Sequence, residues 1–106
     1  MDKIFYTFRK KIDNKDFPNW YYSKLFWNPF LEFATRFDSL DRIKTFLSII
    51  YHPDCEVVKV DIDAKTIDVI GYPKYGLGGN FEIVYWFARK EKLNYNKCFT
   101  KESNNG

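Results

Sequence analysis

The chain has 106 residues and a formal net charge of +3, the size of one domain that buries a core without disulfide or metal staples. Apolar residues make up 45%, ordinary for a globular protein, but aromatics make up 21%, with eleven Phe, eight Tyr and three Trp. No run approaches the ~20 apolar residues of a membrane span, the first residues have no apolar signal core, and Cys55 and Cys98 form no C-x-x-C pair. The expectation is a soluble cytoplasmic protein with reduced thiols.

Residues 3–12 read as a strand in which Ile4, Tyr6 and Phe8 alternate with Phe5, Thr7 and Arg9. Turn chemistry at Asp13–Asp16 and the proline at Pro18 separate it from a second strand, 20–27, whose spacing allows a hairpin with the first. The run 28–37, NPFLEFATRF, has a helix-start signal in Asn28-Pro29 but reads as a loop or a short helical turn. Asp38 or Ser39 then caps a helix to about Tyr51, with Asp41 in its first turn. Its apolar stripe is Leu40, Ile43, Phe46, Leu47 and Ile50, and Pro53 stops it.

Three more strands follow at 55–62, 67–72 and 81–89. The simplest register opposes Ile62 to Ile67 and Val60 to Val69, which puts the apolar residues of both strands on one face. In the last strand Phe81, Ile83, Tyr85 and Phe87 point to the helix, and Val84, Trp86 and Ala88 point away. The fold class is α+β, a mostly antiparallel sheet of about five strands in the order ββαβββ packed on one main helix. Residues 1–90 form the domain, and 91–106 form a polar tail expected to fray.

The sequence offers little chemistry. His52, the single histidine, lies three residues before Cys55, but a Cys–His pair needs a third group to orient the imidazole. Structural zinc wants four ligands from paired motifs, and only one such pair is present. Gly76-Leu77-Gly78-Gly79 precedes a strand rather than a helix, so it lacks the context of a phosphate loop. It reads as a flexible connection, with Pro73, Lys74 and Tyr75 on its other arm. No catalytic residue, cofactor or metal is expected, and the chain reads as a non-enzyme.

Two surface features remain. In the register above, Asp61 and Asp68 face each other with Asp63 on the same side. Such acids are a solvated face or a patch complementary to a basic partner. The face away from the helix includes Trp86, where an antiparallel sheet normally shows polar residues. Trp20 or Trp27 alongside it would make an aromatic patch. That patch is covered by 28–37 or the tail, pairs with another protein, or stacks on bases. The run from Gly79 to Tyr85 lacks the leading basic residue of an RNA-recognition motif and carries Glu82 within it.

The stretch Ala34-Thr35-Arg36-Phe37-Asp38-Ser39-Leu40, running on to Leu47, follows an aromatic hairpin and precedes Val57-Val58-Lys59-Val60. It resembles a pattern of short phage and mobile-element proteins, in which a hairpin leads through A-x-x-F-x-S into one helix. The resemblance covers about half the chain and implies a protein that binds and inhibits a host protein, such as a defence factor. No residue role transfers with it. The reading is therefore a non-enzymatic protein-binding module, with contacts at Trp86, Val84, Trp27 and Tyr75 and the acids Asp61, Asp63 and Asp68. The alternative is a nucleic-acid-binding accessory protein that uses Arg9, Lys10, Lys11 and exposed rings.

Overall fold

The computed structural model describes residues 3–24, 26–94 and 98–99, with the side chains of Phe87 and Ala88 outside the described set. Among the described residues it is an α+β fold with a six-stranded antiparallel sheet and one named α-helix. The strands are β1 (Ile4–Lys11), β2 (Asn19–Ser23), β3 (Phe26–Asn28), β4 (Glu56–Asp61), β5 (Thr66–Tyr75) and β6 (Phe81–Lys92), in the spatial order β3-β2-β1-β4-β5-β6. Helix α1 (Leu40–Ile49) lies in the connection from β3 to β4. Two three-stranded meanders thus meet along β1 and β4, where six residue pairs run from Ile4↔Asp61 to Arg9↔Glu56.

Several elements form as their residues dictate. Ser39 is the N-cap of α1 and accepts a hydrogen bond from the Arg42 amide at 3.2 Å. Ile43 and Leu47 of the apolar stripe are fully buried, and Ile50 ends the helix instead of continuing it to Tyr51. The run 28–37 contains only a 3-10 turn, Leu31–Phe33.

Other elements differ from the sequence reading. The expected strand 20–27 is two strands. The chain reverses at Lys24, whose φ is 39°, and Ser23 pairs with Phe26. Two bonds from the segment after the 3-10 turn's start hold this reversal: Ser23 Oγ donates to the Phe33 carbonyl at 2.6 Å, and the Lys24 amide donates to Thr35 Oγ1 at 3.0 Å.

The β4–β5 register is displaced by two residues, so that Val60 opposes Ile67 and Val58 opposes Val69. Ile62 lies just beyond the end of β4, with its amide donating to the Lys3 carbonyl at 2.8 Å. The turn closes instead with Asp61 Oδ1 accepting from the Ala64 amide at 2.9 Å and Lys65 at a φ of 57°. A shift of two leaves each side chain on its expected face, but it separates Asp61 from Asp68.

Both faces of the sheet are covered over its centre. On one face α1 packs on Phe8, Tyr22, Val57 and Ile83, with Phe37, Phe46 and Phe81 at the margin. On the other, Leu31 and Ala34 from the 3-10 segment and Leu93 and Phe99 from the C-terminal segment cover Phe5, Val58, Val60, Ile67 and Val69. A domain boundary at residue 90 would fall inside β6, and Leu93 and Phe99 beyond it belong to the core. The rest of the expected frayed tail, 95–97 and 100–106, lies outside the described residues.

Tyr85 is not a core residue on the helix side but is 55% exposed. The lengths explain this. A ten-residue helix is about 15 Å long, whereas a twelve-residue strand runs about 40 Å, so α1 reaches only the Phe81–Ile83 end of β6.

Candidate functional site

The site that emerges lies at the irregular middle of the β5–β6 ladder. Gly71 opposes Tyr85, but Val69 opposes Arg89, so β6 advances four residues while β5 advances two. This bulge re-aims the side chains on either side of it. Gly71 permits it, since a Cβ there would meet the Val84 carbonyl oxygen at 2.1 Å.

Trp86 leaves the bulge with its ring 5.3 Å from that of Tyr72, while the Arg89 guanidinium lies 5.3 Å from the indole centroid on the cation–π pattern. The indole is thus held between two partners and still 40% exposed. It borders an open groove of 530 Å³ shared with Lys10, Lys11, Asp54 and Arg89.

Behind the groove sits a closed ring of four charges. Arg9 Nε donates to Glu56 Oε1 at 3.2 Å, and Arg9 Nη2 meets both Glu91 oxygens at 2.9 Å. Arg89 Nη2 donates to Glu56 Oε2 at 3.2 Å, and Arg89 Nε lies 3.8 Å from Glu91 Oε2. Arg9 is wholly buried and Glu56 nearly so. Its carboxylate partners, with the cross-strand Tyr21, keep the Arg9 guanidinium charged despite burial. The burial of Tyr21 pushes its own phenol up to about 12.

The structure separates the remaining sequence candidates. Arg9 is removed from the solvent-facing basic run, whereas Lys10 and Lys11 line the groove beside Trp86. Of the two sets read from the sequence as alternatives, Trp86 from one therefore meets Lys10 and Lys11 from the other. Trp27 is not beside Trp86. It packs on the helix side, with ring centroids 5.9 Å from Phe8, 5.9 Å from Tyr22 and 5.7 Å from His52, and Lys10 Nζ sits 4.7 Å from its centroid.

Val84 pairs with Tyr72 and is half-buried. Tyr75 holds the end of α1: its hydroxyl donates to the Leu47 carbonyl at 2.7 Å and accepts from the His52 amide at 3.2 Å.

The three acids do not form one bare patch. Asp61 caps its turn, Asp63 lies 3.2 Å from Lys3 Nζ, and Asp68 opposes Lys59 and lies 2.9 Å from Lys90 Nζ. The ionic ring was not read from the sequence, although period two places Arg9 on the face of Phe5 and Thr7, both of which are buried.

The Cys55 thiol donates to the His52 carbonyl at 3.3 Å, and the imidazole packs among Phe8, Tyr22 and Trp27. Burial pushes the thiol up to about 12, the opposite of an activated nucleophile. Among the described residues no helix is long and apolar enough to cross a membrane. No protein-family model, curated protein or solved structure matches this chain.

Proposed function

We propose that the protein is a non-enzymatic binding module that docks a protein partner on the Trp86 groove. The observation that carries this reading is the clamped yet exposed indole, 40% accessible between Tyr72 and Arg89. Trp, Tyr and Arg are the residues enriched at the energetic centres of protein interfaces. A ring already fixed by neighbours loses little rotamer freedom when a partner covers it.

The partner segment is acidic. Arg9 and Arg89 are balanced by Glu56 and Glu91 in the ring behind the groove, which leaves Lys10 and Lys11 at its margin against Asp54. The resemblance in the helix-entry segment extends the reading to a phage or mobile-element protein that blocks a host protein, for example a defence factor. The three acids, each with a partner or cap of its own, contribute less to docking than the groove does.

Nucleic acid is the competing occupant, favoured by the meeting of Trp86 with Lys10, Lys11 and Arg89. The positive stretch is short and is interrupted by Asp54, and tracking a strand of several phosphates takes a longer basic field. Protein is therefore preferred.

The test uses the full chain, Trp86→Ala and the double variant Lys10→Glu/Lys11→Glu. Both variants should keep the wild-type denaturation midpoint to within about 1 kcal/mol, as for surface changes. Both should lose a protein captured from the native host by the wild type. A Trp86→Ala protein that fails to fold, or that captures the same partner unchanged, ends this reading. Binding to single-stranded DNA or RNA that falls steeply with salt would hand the groove to nucleic acid.

A further inference from the structure

The sheet ends on β6, and no strand among the described residues pairs with its outer edge. The ladder to β5 fixes which backbone groups face outward. The Gly76 amide donates to the Asn80 carbonyl at 2.8 Å, which starts the hairpin with a bonded pair. Bonded and unbonded pairs alternate along an antiparallel ladder. Lys74↔Glu82 and Tyr72↔Val84 are therefore bonded pairs, and Tyr75↔Phe81, Pro73↔Ile83 and Gly71↔Tyr85 are not. Pro73, which has no N–H to give, falls on an unbonded place. The N–H and C=O groups of Phe81, Ile83 and Tyr85 thus point away from β5, to the free edge.

Sheet edges are ordinarily blunted by shortness, lysine, proline or a bulge. The opposite edge, β3, has three residues. The far half of β6 carries Lys90 and Lys92. The stretch Phe81–Tyr85 has neither lysine nor proline, and its bulge comes only after Tyr85. Phe81 and Ile83 pack on the helix side. Tyr85 follows them at period two but is 55% exposed.

This stretch is complementary to itself. Antiparallel pairing about Ile83 is the one register that bonds all three outward residues to the outward residues of a second copy. Ile83 then meets Ile83, Phe81 of each copy meets Tyr85 of the other, and Glu82 meets Val84. The two Phe–Tyr pairs lie on the helix side and cover the exposed ring, a favourable cross-strand contact. Glu82 of each copy has Lys74 opposite it in its own chain, so the two acids near the axis are each balanced by a cation. The paired stretch ends at the 3-10 turn Leu77–Gly79 on one side and at the bulge on the other.

We propose that the chain forms a twofold-symmetric dimer through β6, in which the Phe81–Tyr85 stretches of two copies pair antiparallel and join the two sheets into one. The contact presents the same surface on both copies, so it closes at two. A stretch this short buries less than about 1,000 Å², which makes the dimer weak and reversible.

The test is sedimentation velocity of the full chain from micromolar to millimolar concentration, with hydrogen exchange of the ¹⁵N-labelled chain at both ends of that range. The expected result is a monomer–dimer equilibrium. The Glu82 and Val84 amides, bonded to β5, should exchange slowly at both concentrations. Those of Phe81, Ile83 and Tyr85 should slow only as the dimer fills. Tyr85→Lys removes both ring pairs and sets a cation on the bare edge. It should keep the wild-type unfolding midpoint of the dilute protein and weaken association by about tenfold or more. Tyr85→Phe keeps the rings and should dimerise as the wild type does. A chain that stays monomeric at millimolar concentration overturns the proposal. So does a dimer in which the Ile83 amide exchanges as fast as in the monomer, or in which the β3 amides slow instead, since either puts the contact elsewhere. These wild-type readings decide the matter even if a variant fails to fold. A folded Tyr85→Lys protein that associates as tightly as the wild type overturns it too.

Discussion

Arg9 and Glu91 are joined by two 2.9 Å bonds across 82 positions of sequence, which ties the end of the last strand to the first. Arg9 is fully buried, whereas the Glu91 side chain is 29% exposed. Removing Arg9 strands two carboxylates, of which Glu56 is only 8% exposed. Loss of one partner from a buried pair costs about 3–5 kcal/mol, so Arg9→Ala should lose that much in chemical denaturation. Glu91→Gln, at the wetter end of the ring, should lose about 1–2 kcal/mol. A chain cut after Lys90 loses Glu91 and the buried Leu93 and Phe99. At about 1.5–3 kcal/mol for each buried apolar side chain, the cut takes a large part of a small domain's 5–15 kcal/mol. A truncated chain with the wild-type midpoint would disprove the role given to this segment.

Tyr75 acts as the closing group of α1 rather than as a loose surface ring. Its hydroxyl satisfies the Leu47 carbonyl, one of the acceptors that a helix end leaves open, and takes the His52 amide that follows the helix. Its ring also lies 4.6 Å from that of Tyr51 and 5.2 Å from that of Phe81. Tyr75→Phe keeps the ring contacts and removes only the hydroxyl. It should cost about 1–2 kcal/mol and speed hydrogen exchange at the His52 amide. Unchanged exchange there would show that the two bonds do not form in solution.

What the sequence made legible were features with a local cause. Ser39 announces a cap, the Leu40–Leu47 stripe announces a buried helix face, and alternation in 55–62 and 67–72 announces paired strands. The β4–β5 register was not legible, because a slip of two residues keeps the same apolar face and the hydrophobic pattern cannot separate the two. The Lys24 reversal carries none of the Gly or Asn signals of a tight hairpin turn. Arg9 sits in an Arg-Lys-Lys run that reads as solvated, and only the distant Glu91 and Glu56 reveal it as interior. The neighbours of Trp86 were not legible either: Tyr72 and Arg89 join it because of a bulge no local pattern signals.

That bulge depends on Gly71. A Cβ at this position would lie 2.1 Å from the Val84 carbonyl oxygen and 3.0 Å from the Tyr85 Cα, both backbone atoms. Neither can swing aside as a side chain could. Gly71→Ala must push β5 and β6 apart, at a cost of about 2–3 kcal/mol by the measure of overpacked cores. The change also shifts Trp86 off Tyr72, so indole fluorescence should move together with the loss of stability. A Gly71→Ala protein as stable as the wild type, with unchanged fluorescence, would contradict the bulge geometry.

His52 gives the protein a pH dependence whose sign follows from its surroundings. The imidazole packs 5.5 Å from Phe8, 5.4 Å from Tyr22 and 5.7 Å from Trp27, measured between ring centroids. Partial burial there, and then the nearby Lys10 cation, hold its pKa below the usual 6.5. The unfolded chain therefore takes up a proton before the folded one as pH falls. The contribution to stability is fully present above about 6.5 and is lost progressively as pH drops toward the lowered value. His52 is the single histidine of the chain, so one imidazole resonance reports the titration directly. Its midpoint should lie below 6.5 in the native protein and rise toward that value in denaturant. Denaturation midpoints should fall on going from neutral to mildly acidic buffer in the wild type and fall less in His52→Gln. A native midpoint at or above 6.5, or the same acid slope in the variant, would show that the aromatic cage does not disfavour the imidazolium.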